Sequence, residues 1–147
     1  MITSIRSPCS KARTFHPITI CIAMPATPSN SEIPSSELIL NPDGSIYHLN
    51  LQPKHVADTV VTVGDPSRVH QVTKHFDKVE FEMNKREFIS HLGTYKGKRM
   101  LVMSTGMGTD NIEIIMNELD ALVNIDLKKR RVKEKHRSLK IVRIGTS

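Results

Sequence analysis

Apolar and polar positions fall into alternating blocks from about residue 59 onward, and the blocks carry two periods. Thr59-Val60-Val61-Thr62-Val63 is a short β-branched run, which predicts a buried strand. Pro66 suits the first turn of a helix running to about Phe76, where its missing N–H costs nothing. Residues 79–83 alternate with period two, and 87–95 reads as another strand. Lys96-Gly97-Lys98 predicts a tight turn into a strand over 99–104. Residues 111–123 change to a helical period, with Ile112, Ile115, Met116, Leu119 and Leu122 on one face, and 139–144 returns as a strand. Before residue 59 the signals are weaker. Asn41-Pro42-Asp43-Gly44 marks a turn, 45–49 a short edge strand or extended arm, and 53–57 one helical turn. Strand, helix, hairpin, helix, strand argues for an α/β fold, a layered α/β/α arrangement on a mixed sheet. The last strand stops at Gly145-Thr146-Ser147, where such strands turn into the next element, so the sequence reads as the first part of a longer, here incomplete, domain.

Composition changes this picture little. The chain has 147 residues, 38% of them hydrophobic, and no Trp, so its core must be built from Val, Ile, Leu and Met. Residues 1–36 differ: no acid precedes Glu32, and Ser, Thr, Pro, Arg and Lys dominate. They read as a disordered or artefactual leader, with Met24 a better candidate for the natural start than 18–23 is for the apolar part of an export signal. Cys9 and Cys21 lack the spacing of a zinc site, and no apolar stretch approaches the roughly 18 to 20 residues of a membrane helix. A cytoplasmic protein without a membrane partner is expected.

Charge matters only where it is concentrated. Of the 21 basic residues nine lie within 128–143 beside a single acid, Glu134, which leaves 12 basic against 14 acidic residues elsewhere. The net +6 is therefore local. The segment 128–137 reads as a solvated, mobile connection. Nucleic acid is the less favoured partner, because no aromatic residue is interleaved for base stacking.

The candidate chemistry lies at three strand ends. Val63-Gly64-Asp65-Pro66-Ser67-Arg68, Ser104-Thr105-Gly106-Met107-Gly108 and Arg143-Ile144-Gly145-Thr146-Ser147 each place glycine after an apolar strand, with hydroxyls or arginine alongside. In open α/β sheets such ends border the ligand crevice. Glycine admits close backbone approach, a helix beginning at Pro66 directs N–H groups toward an anion, and Arg68 and Arg143 supply planar donors matched to phosphate. Phosphate or a phosphate ester is the expected ligand. Plain turns at Gly64 and Pro66, and a structural salt bridge at Arg143, remain the alternatives. Arg143 has the strongest local case, as an arginine at the end of an expected central strand.

These motifs, with Arg86-Glu87-Phe88 and Gly93-Thr94-Tyr95-Lys96-Gly97, resemble in order and spacing the nucleoside phosphorylase family of uridine phosphorylase and the hexameric purine nucleoside phosphorylases. Arg-Glu-Phe and Arg-Ile-Gly-Thr are more similar to the uridine branch. The resemblance covers residues 36–147 and implies that 37–147 is the N-terminal part of a nucleoside phosphorylase domain. It further implies that Gly64, Arg68, Arg143 and Thr146 bind phosphate, Thr146 also lying near the ribose. Arg143 and Thr146 would carry the chemistry. By the same resemblance, Arg86 reaches the phosphate of an adjacent subunit and His48 the neighbour's ribose 5′-hydroxyl, so sites are shared in a homo-oligomer. Glu87, the Met107 carbonyl and Asn111 correspond to a monovalent cation site, for which potassium is the candidate, although Asn111 replaces the usual serine. No other cofactor is implied, inorganic phosphate being the co-substrate. The implied reaction is phosphorolysis of uridine, with a purine nucleoside or a non-catalytic remnant as alternatives. Base and ribose-diol contacts come from the family's second half, so this chain alone is expected to be inactive or nearly so.

Overall fold

The computed structural model describes residues 31–145. Within it, a five-stranded mixed sheet carries a helix on each face, the layered α/β/α arrangement expected. The strands are β1 (Thr59–Val63), β2 (Lys78–Lys85), β3 (Phe88–Tyr95), β4 (Lys98–Ser104) and β7 (Lys140–Ile144), in the order β2-β3-β4-β1-β7. β1 pairs in parallel with both β4 and β7, while β2, β3 and β4 form an antiparallel meander. Two short strands, β5 (Ile125–Asp126) and β6 (Arg131–Val132), form a separate hairpin.

The meander closes through two-residue turns that the sequence specifies unequally. Lys96 and Gly97 both take positive φ, +49° and +75°, the sign pattern of a type I′ turn matched to the strand twist. At the other turn only Arg86 does so, at +56°, a conformation costly for a residue with a Cβ. Glu87 therefore belongs to the turn rather than to β3.

The helices divide the core. α2 (Thr109–Asn124) buries Ile115, Leu119 and Leu122 against Val60, Leu92, Leu101 and Met103 on one face of the sheet. Residues 38–57 fold over the same face and add Leu38, Ile46, Leu49 and Leu51. α1 (Ser67–Thr73) covers the opposite face, with Val69 against Val61, Val63 and Val102. Backbone bonds from His75 to Val72 and from Phe76 to Thr73 carry helical turns on to the residue 76 expected. Phe76 then packs on Gly93, where an added Cβ would lie 2.4 Å from the ring.

Four expectations need correction. Residues 45–49 form no strand: an isolated bridge joins Leu40 to Ile46, and Tyr47, His48 and Leu49 make a turn closed by the Asn50 to Ile46 bond. The basic segment is not a mere solvated connection, since β6 lies within it and three of its cations are used internally. Arg130 donates to the Leu38 carbonyl at 2.6 Å, Lys133 to the Val123 carbonyl in the last turn of α2, and Arg137 pairs with Asp58 at 2.6 Å. The leader reading reaches too far, because Ile33 donates to the Arg130 carbonyl at 2.7 Å; residues 1–30, with Cys9, Cys21 and Met24, lie outside the described residues. Finally β7 is an edge of the described sheet, beside β1, and Arg143 is exposed there rather than buried.

His91 makes the α1 face sensitive to pH. It is buried on β3, with its Nδ1 3.1 Å from the Thr73 hydroxyl and its ring edge-on to His70 at 4.6 Å. Burial is the main cause that holds its pKa below the ordinary 6.5; the His70 charge adds to this, and Glu82 opposes it. The unfolded chain thus binds a proton more readily than the folded one, and stability is complete above about pH 6.5 and declines as pH falls below it. We expect the melting temperature to drop between about pH 7 and 5, and His91→Gln to shrink that drop. An unchanged slope in the variant would place the sensitivity elsewhere.

Candidate functional site

Parallel pairing brings the three glycine-bearing strand ends to one edge. The registers Val63↔Ser104 and Val63↔Ile144 set Gly64, Thr105-Gly106 and Gly145 side by side. Thr105 is the hinge of this corner. Its N–H donates to the Val63 carbonyl at 2.7 Å, and its buried hydroxyl accepts from Nη1 of Arg143 at 3.3 Å. The guanidinium lies beside both flanking glycines: a Cβ on Gly64 would be 3.8 Å from Nη2 and one on Gly145 3.9 Å from Nε. Among the described residues Arg143 has no carboxylate partner, so the salt-bridge alternative is not what this geometry shows. Its planar donors are left facing an open corner, the arrangement a tetrahedral oxyanion fits. Thr146 lies outside the described residues.

The amino end of α1 does not supply the free amides expected. Pro66 has no N–H and already takes helical angles, φ −54° and ψ −37°. The Ser67 amide donates to Oδ1 of Asp65 at 2.7 Å, and those of Arg68 and Val69 donate to the carbonyls of Asp65 and Pro66. Asp65 thus caps the helix, and hydrogen bonds from Ser67, then the charge of Arg68, hold its carboxyl below the usual range. What this segment offers an anion is therefore the backbone at Gly64 and the half-buried Arg68, not the helix terminus.

A second group of expected residues lies at the other end of the same sheet edge. Ser104, fully buried, accepts from the Ile89 amide at 2.8 Å and donates to the Glu87 carbonyl, fastening the Arg86–Glu87 turn to the end of β4. Glu87 and Asn111 converge on Gly106, where an added Cβ would stand 3.1 Å from Glu87 Cγ and 2.8 Å from Asn111 Nδ2. The Asn111 amide nitrogen, however, donates to the Met107 carbonyl at 3.1 Å, so two of the three expected cation donors engage each other. The His48 turn sits beside this group, because Lys85, next to Arg86, donates to the Tyr47 carbonyl. Three strand intervals, about 14 Å, separate β3 from β7, and Arg86 sits in the turn that leads into β3 while Arg143 lies on β7. The structure brings Gly64 and Arg143 together with Thr105 of the second corner segment, whereas no described hydrogen bond joins His48 or Arg86 to them.

Glu118 is the residue that sequence reasoning missed. It accepts from the backbone amides of His48 and Leu49, each at 2.9 Å, and lies 2.7 Å from His48 Nδ1. Seventy residues separate Glu118 from His48, and no local pattern marks it.

Comparisons with known proteins give the family. A model described as the phosphorylase superfamily matches residues 58–147. A DeoD-type purine nucleoside phosphorylase of Brevibacillus brevis is 40% identical over 73 residues, 49% of this chain and 31% of that protein. A uridine phosphorylase of Thermococcus kodakarensis is 35% identical over 88 residues, 60% of this chain and 32% of its own length. The crystal structure of a Trypanosoma brucei nucleoside phosphorylase, described as showing uridine phosphorylase activity, superposes with a TM-score of 0.66 at 35% identity. That superposition covers 74% of this chain and 38% of the other. The chain thus spans about a third of the length of the relatives it matches. Both a purine and a uridine enzyme are among them, and the family model covers more than half of the sequence: the chain belongs to the phosphorylase superfamily.

Proposed function

We propose that the chain forms the phosphate-binding part of a nucleoside phosphorylase that cleaves uridine to uracil and ribose 1-phosphate. The observation that carries this is the Gly64, Thr105 and Arg143 corner at the carboxyl ends of three parallel strands, in a chain of this superfamily. In the proposed reaction, phosphate rests on the Gly64 backbone and the guanidinium groups of Arg68 and Arg143, with Thr146 completing the set. One phosphate oxygen bonds to the anomeric carbon as the bond from that carbon to the base breaks, and the electron pair leaves with the base. Orientation and charge do most of the work: the phosphate dianion offsets the positive charge developing on the ribose, while the arginines keep the nucleophile in line.

The separation of His48 and Arg86 from this corner supports a shared site in a homo-oligomer. A potassium ion held by the Glu87 carboxylate, the Met107 carbonyl and Asn111 Oδ1 belongs to this proposal, and no step depends on it. We also place the activity in the cytoplasm. Purine nucleosides are the second reading, favoured by the Brevibacillus brevis relative.

The test is phosphate-dependent cleavage of uridine and inosine. It is made with the 147-residue chain and with a chimera in which residues 31–145 replace the corresponding segment of the Trypanosoma brucei enzyme. The reading expects little turnover from the chain alone and clear uridine turnover from the chimera. A folded chimera without phosphate dependence on either nucleoside would overturn it.

A further inference from the structure

The Tyr47-His48-Leu49 turn is held in an unusual way for a surface loop. One carboxylate, Glu118 of α2, serves three donors of the turn: Oε1 takes the His48 amide and faces His48 Nδ1, and Oε2 takes the Leu49 amide. Glu118 is itself largely withdrawn from solvent, its side chain 12% exposed, whereas the His48 side chain is 34% exposed. Tyr47 packs edge-on against the imidazole, with ring centroids 4.8 Å apart, and limits its rotation. Lys85 in turn binds the Tyr47 carbonyl and stands 5.2 Å from the Tyr47 ring. Leu49, completely buried, anchors the far side of the turn. Backbone, ring plane and one ring nitrogen are thus all constrained, which is more than burying Leu49 requires.

The constraint has a chemical sense. An ionised carboxylate only accepts, so the nitrogen facing it must carry the proton. Fixing Nδ1 as N–H leaves Nε2 of the neutral ring as an acceptor on the side away from Glu118. We propose that Glu118 is a positioning residue that locks His48 as its Nδ1–H tautomer, so that Nε2 is presented as a hydrogen-bond acceptor for a hydroxyl group of the sugar. The proposal rests on the nucleoside reading for the identity of that hydroxyl, but the tautomer lock stands on the geometry alone. Glu118 touches no substrate in this scheme and acts only through His48.

The test has two readouts. In the intact 147-residue chain, long-range nitrogen–proton correlation at a pH above the ordinary histidine range should show neutral His48 protonated at Nδ1 and bare at Nε2. In Glu118→Gln the amide brings a donor where there was none, and a mixture of tautomers is expected. A wild-type chain with Nε2 protonated overturns the proposal without any variant having to fold. The second readout uses the chimera, comparing uridine with its 5′-deoxy analogue. The original chain should favour uridine by about tenfold in kcat/KM, the equivalent of one hydrogen bond, and Glu118→Gln should lose most of that preference. Unchanged discrimination in a folded Glu118→Gln protein would overturn the positioning role. Loss of all phosphorolysis in the parent chimera would instead remove the nucleoside reading and leave the tautomer result to decide the lock.

Discussion

Arg143→Ala in the chimera is expected to lower phosphate-dependent uridine cleavage by about 10²- to 10³-fold, the scale of losing one preorganised donor to a developing charge. Thermal unfolding of the 147-residue chain with the same substitution should barely move. Arg143 is exposed on an edge strand, and its one described hydrogen bond, to the Thr105 hydroxyl at 3.3 Å, is long. The loss should appear in the KM for phosphate as well as in kcat, since the same guanidinium binds and aligns the nucleophile. Arg143→Lys should recover only part of the rate, because an ammonium keeps the charge and forfeits the planar fork lying beside Gly64 and Gly145. Equal turnover in Arg143→Ala and its parent would show that the corner does not hold the attacking phosphate.

Gly93→Ala should produce the largest loss of stability. A Cβ there would stand 2.4 Å from one Phe76 ring carbon and 2.5 Å from the Lys78 carbonyl oxygen. The ring can rotate away, but the carbonyl belongs to the backbone at the start of β2, paired with β3 in the Lys78↔Thr94 register. Relief therefore requires the two strands to part locally, and about 2 to 3 kcal/mol of stability should be lost. For a domain of this size that is a fall of roughly 10 °C or more in melting temperature. Combining Gly93→Ala with Phe76→Ala should restore less than half of that loss, as the carbonyl clash survives. An alanine variant as stable as the parent would mean that β2 and β3 pair differently around Val79 and Phe81, where the register shifts.

Much of the sheet was legible because its strands announce themselves locally. The β-branched run Thr59–Val63 ends at a glycine, the Lys96-Gly97 pair marks its own turn, and Ile115, Leu119 and Leu122 repeat at helical spacing. The same local signals located the three corner segments. Their spatial order was not legible, because it depends on which strand pairs with which: β1 lies between β4 and β7, and β7 is an edge of the described sheet, so the argument that Arg143 is buried failed. The 45–49 segment misled for a related reason. Ile46 and Leu49 are buried by a turn packed on α2, and alternation alone cannot distinguish that from a strand. β5 and β6, two residues each, are too short for any period to show. Glu118 was invisible because its three donors lie about seventy residues away.

The strand order also has a kinetic consequence. The meander β2-β3-β4 joins neighbours in sequence through two-residue turns and can pair within microseconds, whereas β1 must reach across the meander to β4 and then wait for β7 to cover its other side, as in the Thr62 to Val142 contact across 80 residues. The last long loop to close is therefore the one that delivers Arg143 to Thr105. On a ribosome the corner would be the final part of this segment to assemble, after the hairpins and α2 have formed. Any competition for the exposed edge of β1 before β7 arrives would keep Arg143 from Thr105 while leaving most of the layer intact.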